Sequence, residues 1–344
     1  MNINQIDMFA EAARDLLADQ CTPQVVRAIE AGGRHSLAAG ALWAQLEATG
    51  LADAMLGEAQ GGAGLGLGEA FGVLEQCGAH ALPLPLAETM VARAWLAQAG
   101  AALPAGRIVL ARGELVGDGG VQCALVRGAH LADAVLVQTG ADCRLLPVDG
   151  AQAGPQAHAQ DAALAWSGEQ LRAAPVLALP GAQDLRTLQA AVVAAQMAGA
   201  LGSVFRRTLQ YANERQQFGR PIGKFQAIQH QLAVMSEHVF AARMAAQLGC
   251  SGAAPLPDRL RVATAKARCS EAALAVAEMA HAIHGAIGFT EEYDLQLFTR
   301  RLHAWRQTAG SEAYWQRVAG QALLEHHGLT LDLLRRITDV DTVA

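Results

Sequence analysis

The sequence predicts a mainly helical α+β fold: helices, then a short β region, then a second set of helices. Three observations carry this. Apolar residues recur near i, i+3, i+4 and i+7 over residues 4–100 and again beyond Asp184. Residues 104–178 break instead into short runs bounded by Gly and Asp, as in a small antiparallel barrel or sheet. The composition is 52% hydrophobic but only 5% aromatic, which suits closely packed helices better than an aromatic β-sandwich. At 344 residues the chain exceeds one ordinary core. The expected division is an N-terminal helical domain over 1–103, a middle β domain over 104–180 and a C-terminal four-helix bundle over 181–344.

The elements follow in order. FAEAARDLLADQ, LAAGALWAQLEATGL, LGEAFGVLEQCGAHAL and LAETMVARAWLAQAG are the N-terminal helices, interrupted by the Gly-rich loop EAQGGAGLGLGEA. RIVLARGELVG, VQCALVRG, ADAVLVQTG and CRLLPVDG are the strands, with one or two more in the irregular stretch that follows. Helices are then expected over about 184–214 and 225–249, and from an N-cap at Asp258 to about 284. The last two are expected over about 294–307 and 311–336.

Composition excludes several classes. The net charge is −6, without the clustered Lys and Arg of a nucleic-acid footprint. The six cysteines are scattered, with no CxxC pair to suggest a zinc site or a disulfide framework. The N-terminus reads as an amphipathic helix, not a signal peptide, so a cytoplasmic, reducing setting is expected. Residues 187–205 carry no charge and nearly reach membrane-spanning length. They are rich in Ala and Gly and include Gln189, Gln196 and Ser203, which points to the buried centre of a bundle and away from a membrane.

The most unusual stretch is NERQQFGRPIGKFQAIQHQLA, residues 213–233. Asn213 and Glu214 end a helix, Gly219 and Pro221 make a turn, and Phe225 restarts apolar packing. Arg215 stands at that helix terminus, where a guanidinium can grip phosphate or carboxylate with two hydrogen bonds. Spacing alone favours a solvated helical hairpin turn with ordinary surface charges. The Gly-rich loop at 58–70 is not a phosphate-binding fingerprint, because it follows no strand and precedes no P-loop lysine. Glu278 and His281 form a single ExxH, whereas helical di-iron sites need two, so His281 is expected to be packed or hydrogen-bonded and no metal is assigned. The histidines of Glu325-His326-His327 sit near a helix end, and no G-x-S-x-G motif marks a hydrolase.

Taken with IHGAIGFTEEYDLQLFTRR at 283–301, the 213–233 stretch resembles the acyl-CoA dehydrogenase family. The resemblance covers nearly the whole chain, most strongly 205–235 and 280–301, and least the middle region. It implies FAD at a subunit interface, an acyl-CoA substrate, an electron-transfer flavoprotein as acceptor, and a homodimer or tetramer. By the same resemblance Arg215, with Phe218 and Gly219, is the arginine that reaches the FAD pyrophosphate of a neighbouring subunit. Gln226 contacts the dinucleotide, the backbone of His284, Gly285 and Ala286 packs against it, and Ser311 joins the cofactor-binding set.

Departures from the pattern concern the catalytic side. The usual glutamate base falls at Ala309, in Thr308-Ala309-Gly310-Ser311, and a second known base position falls at Gln189, followed by Ala190. Ala282 and Ala286 replace a glutamine and a glycine of the pattern, and the middle domain's Trp-Ile-Thr signature is missing, Trp166 lying in another context. Glu312, one helical turn from Ala309, is a candidate relocated base. Three readings stay open: an acyl-CoA dehydrogenase in its own right, a base-less partner subunit of a longer homologue, and a flavin-free structural or binding homologue.

Overall fold

The computed structural model describes residues 3–117, 119–158, 160–178, 184–252 and 256–339. The chain divides into two compact units. One is formed chiefly by Met1–Val73 and Leu82–Gln189, the other by Leu74–Ala81, Ala190–Ala253 and Pro257–Ala344.

The first unit opens with α1 (Ile3–Gln20), α2 (Pro23–Gly32) and α3 (Leu37–Ala48), and takes in the start of α4 (Leu67–Ala79) and all of α5 (Leu86–Gln98). The periodicity reading passed over α2. Its own signals are a Thr22 cap accepting from the Val25 amide and a proline at its first position. Helix α5 is buried on every side from Leu86 to Leu96, including Glu88 and Arg93.

Its β region comprises β1 (Ile108–Arg112), β2 (Glu114–Leu115), β3 (Val121–Val126), β4 (Ala134–Thr139), β5 (Asp142–Pro147), β6 (Gln152–His158) and β7 (Asp161–Trp166). These form two sheets, in the orders β1-β4-β5 and β2-β3-β7-β6. The expected all-antiparallel arrangement needs one correction: β1 pairs with β4 in parallel, Ile108 opposite Ala134. Between them the chain crosses to the other sheet for β2 and β3, so it returns running in its original direction. The core draws Val109, Val135 and Val137 from one sheet and Val121, Cys123, Leu164 and Trp166 from the other. The Trp166 indole donates to the Pro147 carbonyl at 2.9 Å. The short α6 (Gly168–Ala173) follows, with a capping box between Ser167 and Gln170.

Helix α7 (Leu185–Glu214) begins in the first unit and runs through the second. Its apolar stretch is 89% buried, as expected of a bundle core. Helices α4 and α7 cross within the second unit at the closest backbone approach their residues allow. A methyl on Gly78 would lie 1.7 Å from the Gln196 carbonyl oxygen, and one on Gly199 would lie 1.9 Å from that of Glu75. Two short strands, β8 (Gln216–Gln217) and β9 (Arg220–Pro221), lead to α8 (Gln226–Cys250) and α9 (Arg259–His284). Asp258 caps α9 as predicted, accepting from the Leu260 and Arg261 amides at 2.9 and 3.0 Å. Helix α9 packs against α8, α10 (Leu295–Gln307) and α11 (Glu312–Glu325). The single helix expected over 311–336 is two, α11 and α12 (Thr330–Thr338). The helix breaks after Glu325, at His326-His327-Gly328, and Leu329 adopts an extended conformation.

All six cysteines are buried. Burial pushes the thiols of Cys123, Cys250 and Cys269 up to about 12.

Candidate functional site

The 213–226 elbow is a hairpin, tighter than a plain helical turn. Strands β8 and β9 pair across Phe218 and Gly219, whose φ values are 51° and 78°. Two consecutive left-handed residues are what a type I′ turn requires. Gly219 meets that at no steric cost, whereas Phe218 is a bulky residue held in a sparsely populated conformation with 91% of its surface exposed. The hairpin is anchored at its base by the Arg215 amide to Tyr211 carbonyl bond and the Ile222 amide to Arg215 carbonyl bond, both 2.8 Å. Arg220 lies 4.2 Å over the Phe225 ring, a cation–π contact that engages its charge. Arg215 is exposed, and its guanidinium has no hydrogen bond or ion pair among the described residues. Gln226, the first residue of α8, is exposed as well.

The second motif lies where α9 ends. Gly285 (φ 64°) reverses the chain into a 3-10 turn over Gly285–Phe289, and a methyl added to it would meet open space. Gly285 and Ala286 are exposed, while the His284 ring is turned inward and buried. Its Nδ1 lies 2.7 Å from the Ala280 carbonyl and its Nε2 lies 3.3 Å from the Tyr293 hydroxyl. Burial lowers the His284 pKa, so the ring is neutral, with Nδ1 donating and Nε2 accepting. At Gly285 and Ala286 the turn exposes backbone and a methyl group, and the Ile287 and Phe289 side chains of the same turn are exposed beside them. The two motifs are tied by Tyr211, one turn before Arg215. Its ring stacks on His284 at 4.4 Å and its hydroxyl donates to the His284 carbonyl at 3.3 Å.

His281 is packed, as expected: Nε2 lies 3.1 Å from the Thr299 hydroxyl and the ring stacks on Phe289 at 4.3 Å. Its Nδ1 is buried without a partner. It borders an apolar cavity of about 460 Å³ with Leu274, Ala277, Glu278, Phe289 and His303. No group of three potential metal ligands occurs among the described residues.

The Thr308-Ala309-Gly310 turn is clamped from several directions. Ala309 and Gly310 have φ values of 57° and 111°. Lys266, fully buried on α9, donates to the Arg306 and Gly310 carbonyls at 2.9 and 3.0 Å and to the Ser270 hydroxyl at 3.1 Å. Those three acceptors match the three donors of an ammonium, while burial pulls the amine down to about 7. The Trp315 indole donates to the Ala309 carbonyl at 3.1 Å. Residue 309 is thus held firmly, but it carries a methyl. Ser311 is half-buried at the start of α11, and its side chain makes no capping bond. Glu312 accepts from Arg306 Nε at 2.9 Å, and that hydrogen bond holds its carboxyl below the ordinary range. An ion-paired carboxylate of lowered pKa is a weak proton acceptor.

Gln189 is buried in the first unit, where its Nε2 donates to Glu88 Oε1 at 3.1 Å and to the Leu110 carbonyl at 2.9 Å. Sequence reading missed Glu88 and Lys266 as chemistry-bearing groups. For Glu88 the available signal was a charged residue within a mostly apolar helix, whereas Lys266 shares α9 with Arg261, Arg268, Glu271 and Glu278 and does not stand out.

The family described as acyl-CoA dehydrogenase, N-terminal domain, matches residues 4–102, and the corresponding C-terminal domain matches residues 184–324. The chain is 32% identical over 303 residues to acyl-CoA dehydrogenase IpdE2 of Mycobacterium tuberculosis, covering 87% of this chain and 91% of that one. Among solved structures, one titled as a variant of the Tcur3481-Tcur3483 steroid ACAD superposes with a TM-score of 0.79 at 27% identity, covering 94% of this chain and 98% of that one. The ChsE4-ChsE5 complex from Mycobacterium tuberculosis superposes with a TM-score of 0.83 at 22% identity, covering 95% and 99%.

Proposed function

The chain belongs to the acyl-CoA dehydrogenase family, and from that premise we propose that it serves the FAD-dependent α,β-desaturation of an acyl-CoA thioester. The observation that carries this is the unpartnered Arg215 guanidinium on a rigid hairpin. The residues present fit FAD. A free fork of donors matches a diphosphate, the exposed Phe218 ring offers a stacking face, and the open Gly285–Ala286 backbone admits close approach. Arg215, Phe218, Gln226 and the 284–286 backbone would hold the dinucleotide, with Ser311 beside the clamped turn. When bound, FAD supplies the hydride acceptor. An electron-transfer flavoprotein is the acceptor we assign beyond it.

What the chain's own residues do is bind and position. The hairpin holds the Arg215 backbone through hydrogen bonds that need no ligand, so little backbone ordering is required when a diphosphate arrives. Tyr211 fixes the second motif relative to the first.

A second reading is favoured by Ala309 and Gln189. In it the chain pairs with a longer homologue that carries the acid. Two-component names among the structural neighbours support it.

Absorption spectra of the purified chain, with and without added FAD, test both. Flavin near one equivalent per chain, bleached by an acyl-CoA, is the expected result for a self-sufficient enzyme. Flavin retained only with the longer homologue supports the second reading. No flavin in either setting sinks both and leaves the flavin-free reading.

A further inference from the structure

We propose that the cavity bordered by α9 and α10 in the second unit binds a quaternary ammonium group, recognised by the Glu278 carboxylate and the Phe289 ring. Its volume, about 460 Å³, falls in the range of small-molecule sites. One wall is a face of α9, where Leu274, Glu278 and Ala282 recur four residues apart. His303 of α10 and Phe289 of the following turn border the rest.

Glu278 carries the charge. Helix α9 has two glutamates, and the other, Glu271, is bonded to Arg268 and Gln316. Glu278 is exposed on the cavity wall and has no hydrogen bond or ion pair among the described residues. No lysine or arginine among the described residues lines the cavity. Burial, with His303 adding to it, lowers the pKa of His281, so that imidazole is neutral and does not offset the carboxylate.

An unanswered carboxylate calls for a cation, and the remaining walls decide which kind. A metal ion is poorly served, since no group of three potential ligands occurs among the described residues. A primary ammonium brings three donors and a guanidinium five, each of which needs an acceptor on leaving water. The cavity has few to give. Leu274, Ala277 and Ala282 are apolar, and His281 has Nε2 engaged with the Thr299 hydroxyl at 3.1 Å and Nδ1 buried. A quaternary ammonium spreads its charge over methyl groups and donates no hydrogen bond. It fits apolar walls, one carboxylate and an aromatic face. Phe289 supplies that face: its ring stacks on His281 at 4.3 Å, and with 70% of the residue exposed its other side is open. The platform is also built in advance. A methyl on Gly288 would lie 3.3 Å from His281 Nδ1, so turn and helix already meet closely, and little must be ordered when a ligand arrives. None of these residues belongs to the set assigned to the dinucleotide, so the proposal stands or falls apart from the flavin reading.

The test is titration of choline into the full chain as purified, followed by calorimetry and by saturation-transfer NMR on the choline methyl protons. The control is its neutral isostere, 3,3-dimethylbutan-1-ol, with carbon in place of nitrogen. Choline should saturate, and the isostere should bind at least about 5-fold more weakly, the value of a charge pair even in bulk water. Glu278→Gln should weaken choline by a similar factor and leave the isostere unchanged. Phe289→Leu should weaken choline by about 2–30-fold, the range of a cation–π contact. Both side chains are exposed, so urea midpoints close to that of the wild-type chain are expected. Choline that fails to saturate the wild-type chain overturns the proposal. So does equal affinity for the isostere, which makes the cavity merely apolar, and so does undiminished choline binding in Glu278→Gln, which puts the cation elsewhere.

Discussion

Two cations of the C-terminal unit make opposite use of their charge. Lys266 is fully buried and meets three oxygens, those of Arg306, Gly310 and Ser270. Arg215 is exposed and meets none among the described residues. The first charge is committed to holding a turn whose residue 309 carries no functional side chain. The second is left available on a hairpin stiff enough to present it. A structural cation is thus marked by its burial and its acceptors, and a binding cation by rigid presentation without a partner.

The largest break in this comparison is Lys266→Met. It orphans two half-buried carbonyls and the buried Ser270 hydroxyl and should destabilise the fold by on the order of 3 kcal/mol in urea titration, since an unsatisfied buried group costs about 1–3 kcal/mol. Arg215→Ala should change stability by less than about 0.5 kcal/mol, as surface changes do. Equal effects would erase the distinction.

Next in size is flavin retention. Arg215→Ala should weaken it by about 10–100-fold, the value of a charge-assisted contact, read from flavin absorbance after dialysis. Arg215→Lys should recover only part, because an ammonium cannot replace a guanidinium fork.

The buried groups also predict opposing pH slopes. Lys266 falls from 10.5 unfolded to about 7 folded. Between those values the unfolded chain holds the extra proton, so stability rises with pH, by at most about 1.4 kcal/mol per unit. Glu88 rises from 4.5 to about 7. There the folded chain holds the extra proton, and stability falls as pH climbs through that window. Denaturation midpoints against pH should show Lys266→Met flattening the alkaline slope and Glu88→Gln the acidic one. The smallest effect belongs to Trp315→Phe. It removes the bond to the Ala309 carbonyl and should cost about 1 kcal/mol, measured in the same titration.

Much of this architecture was legible in the sequence, because helical periodicity and the Asp258 cap are local signals. The parallel β1–β4 pair was not, since strand direction depends on where the chain goes between strands. Nor was the break after Glu325, where the apolar pattern runs on through Leu329. In the candidate site, Arg215 was visible as a cation at a helix terminus. That Phe218 takes a left-handed conformation, that the His284 ring faces inward and that Glu312 is tied to Arg306 are results of packing. Glu88 and Lys266 stayed hidden because a charged letter in a helix does not reveal whether its partner comes from elsewhere in the fold.

The buried cysteines have a practical consequence. Cys21, Cys123 and Cys143 belong to the first unit, and Cys77, Cys250 and Cys269 to the second. An alkylating reagent reaches a buried thiol only when its surroundings open. Peptide mapping after timed alkylation would therefore give each unit its own clock. Whether the units melt together or one ahead of the other can be read from the native chain, without adding a probe.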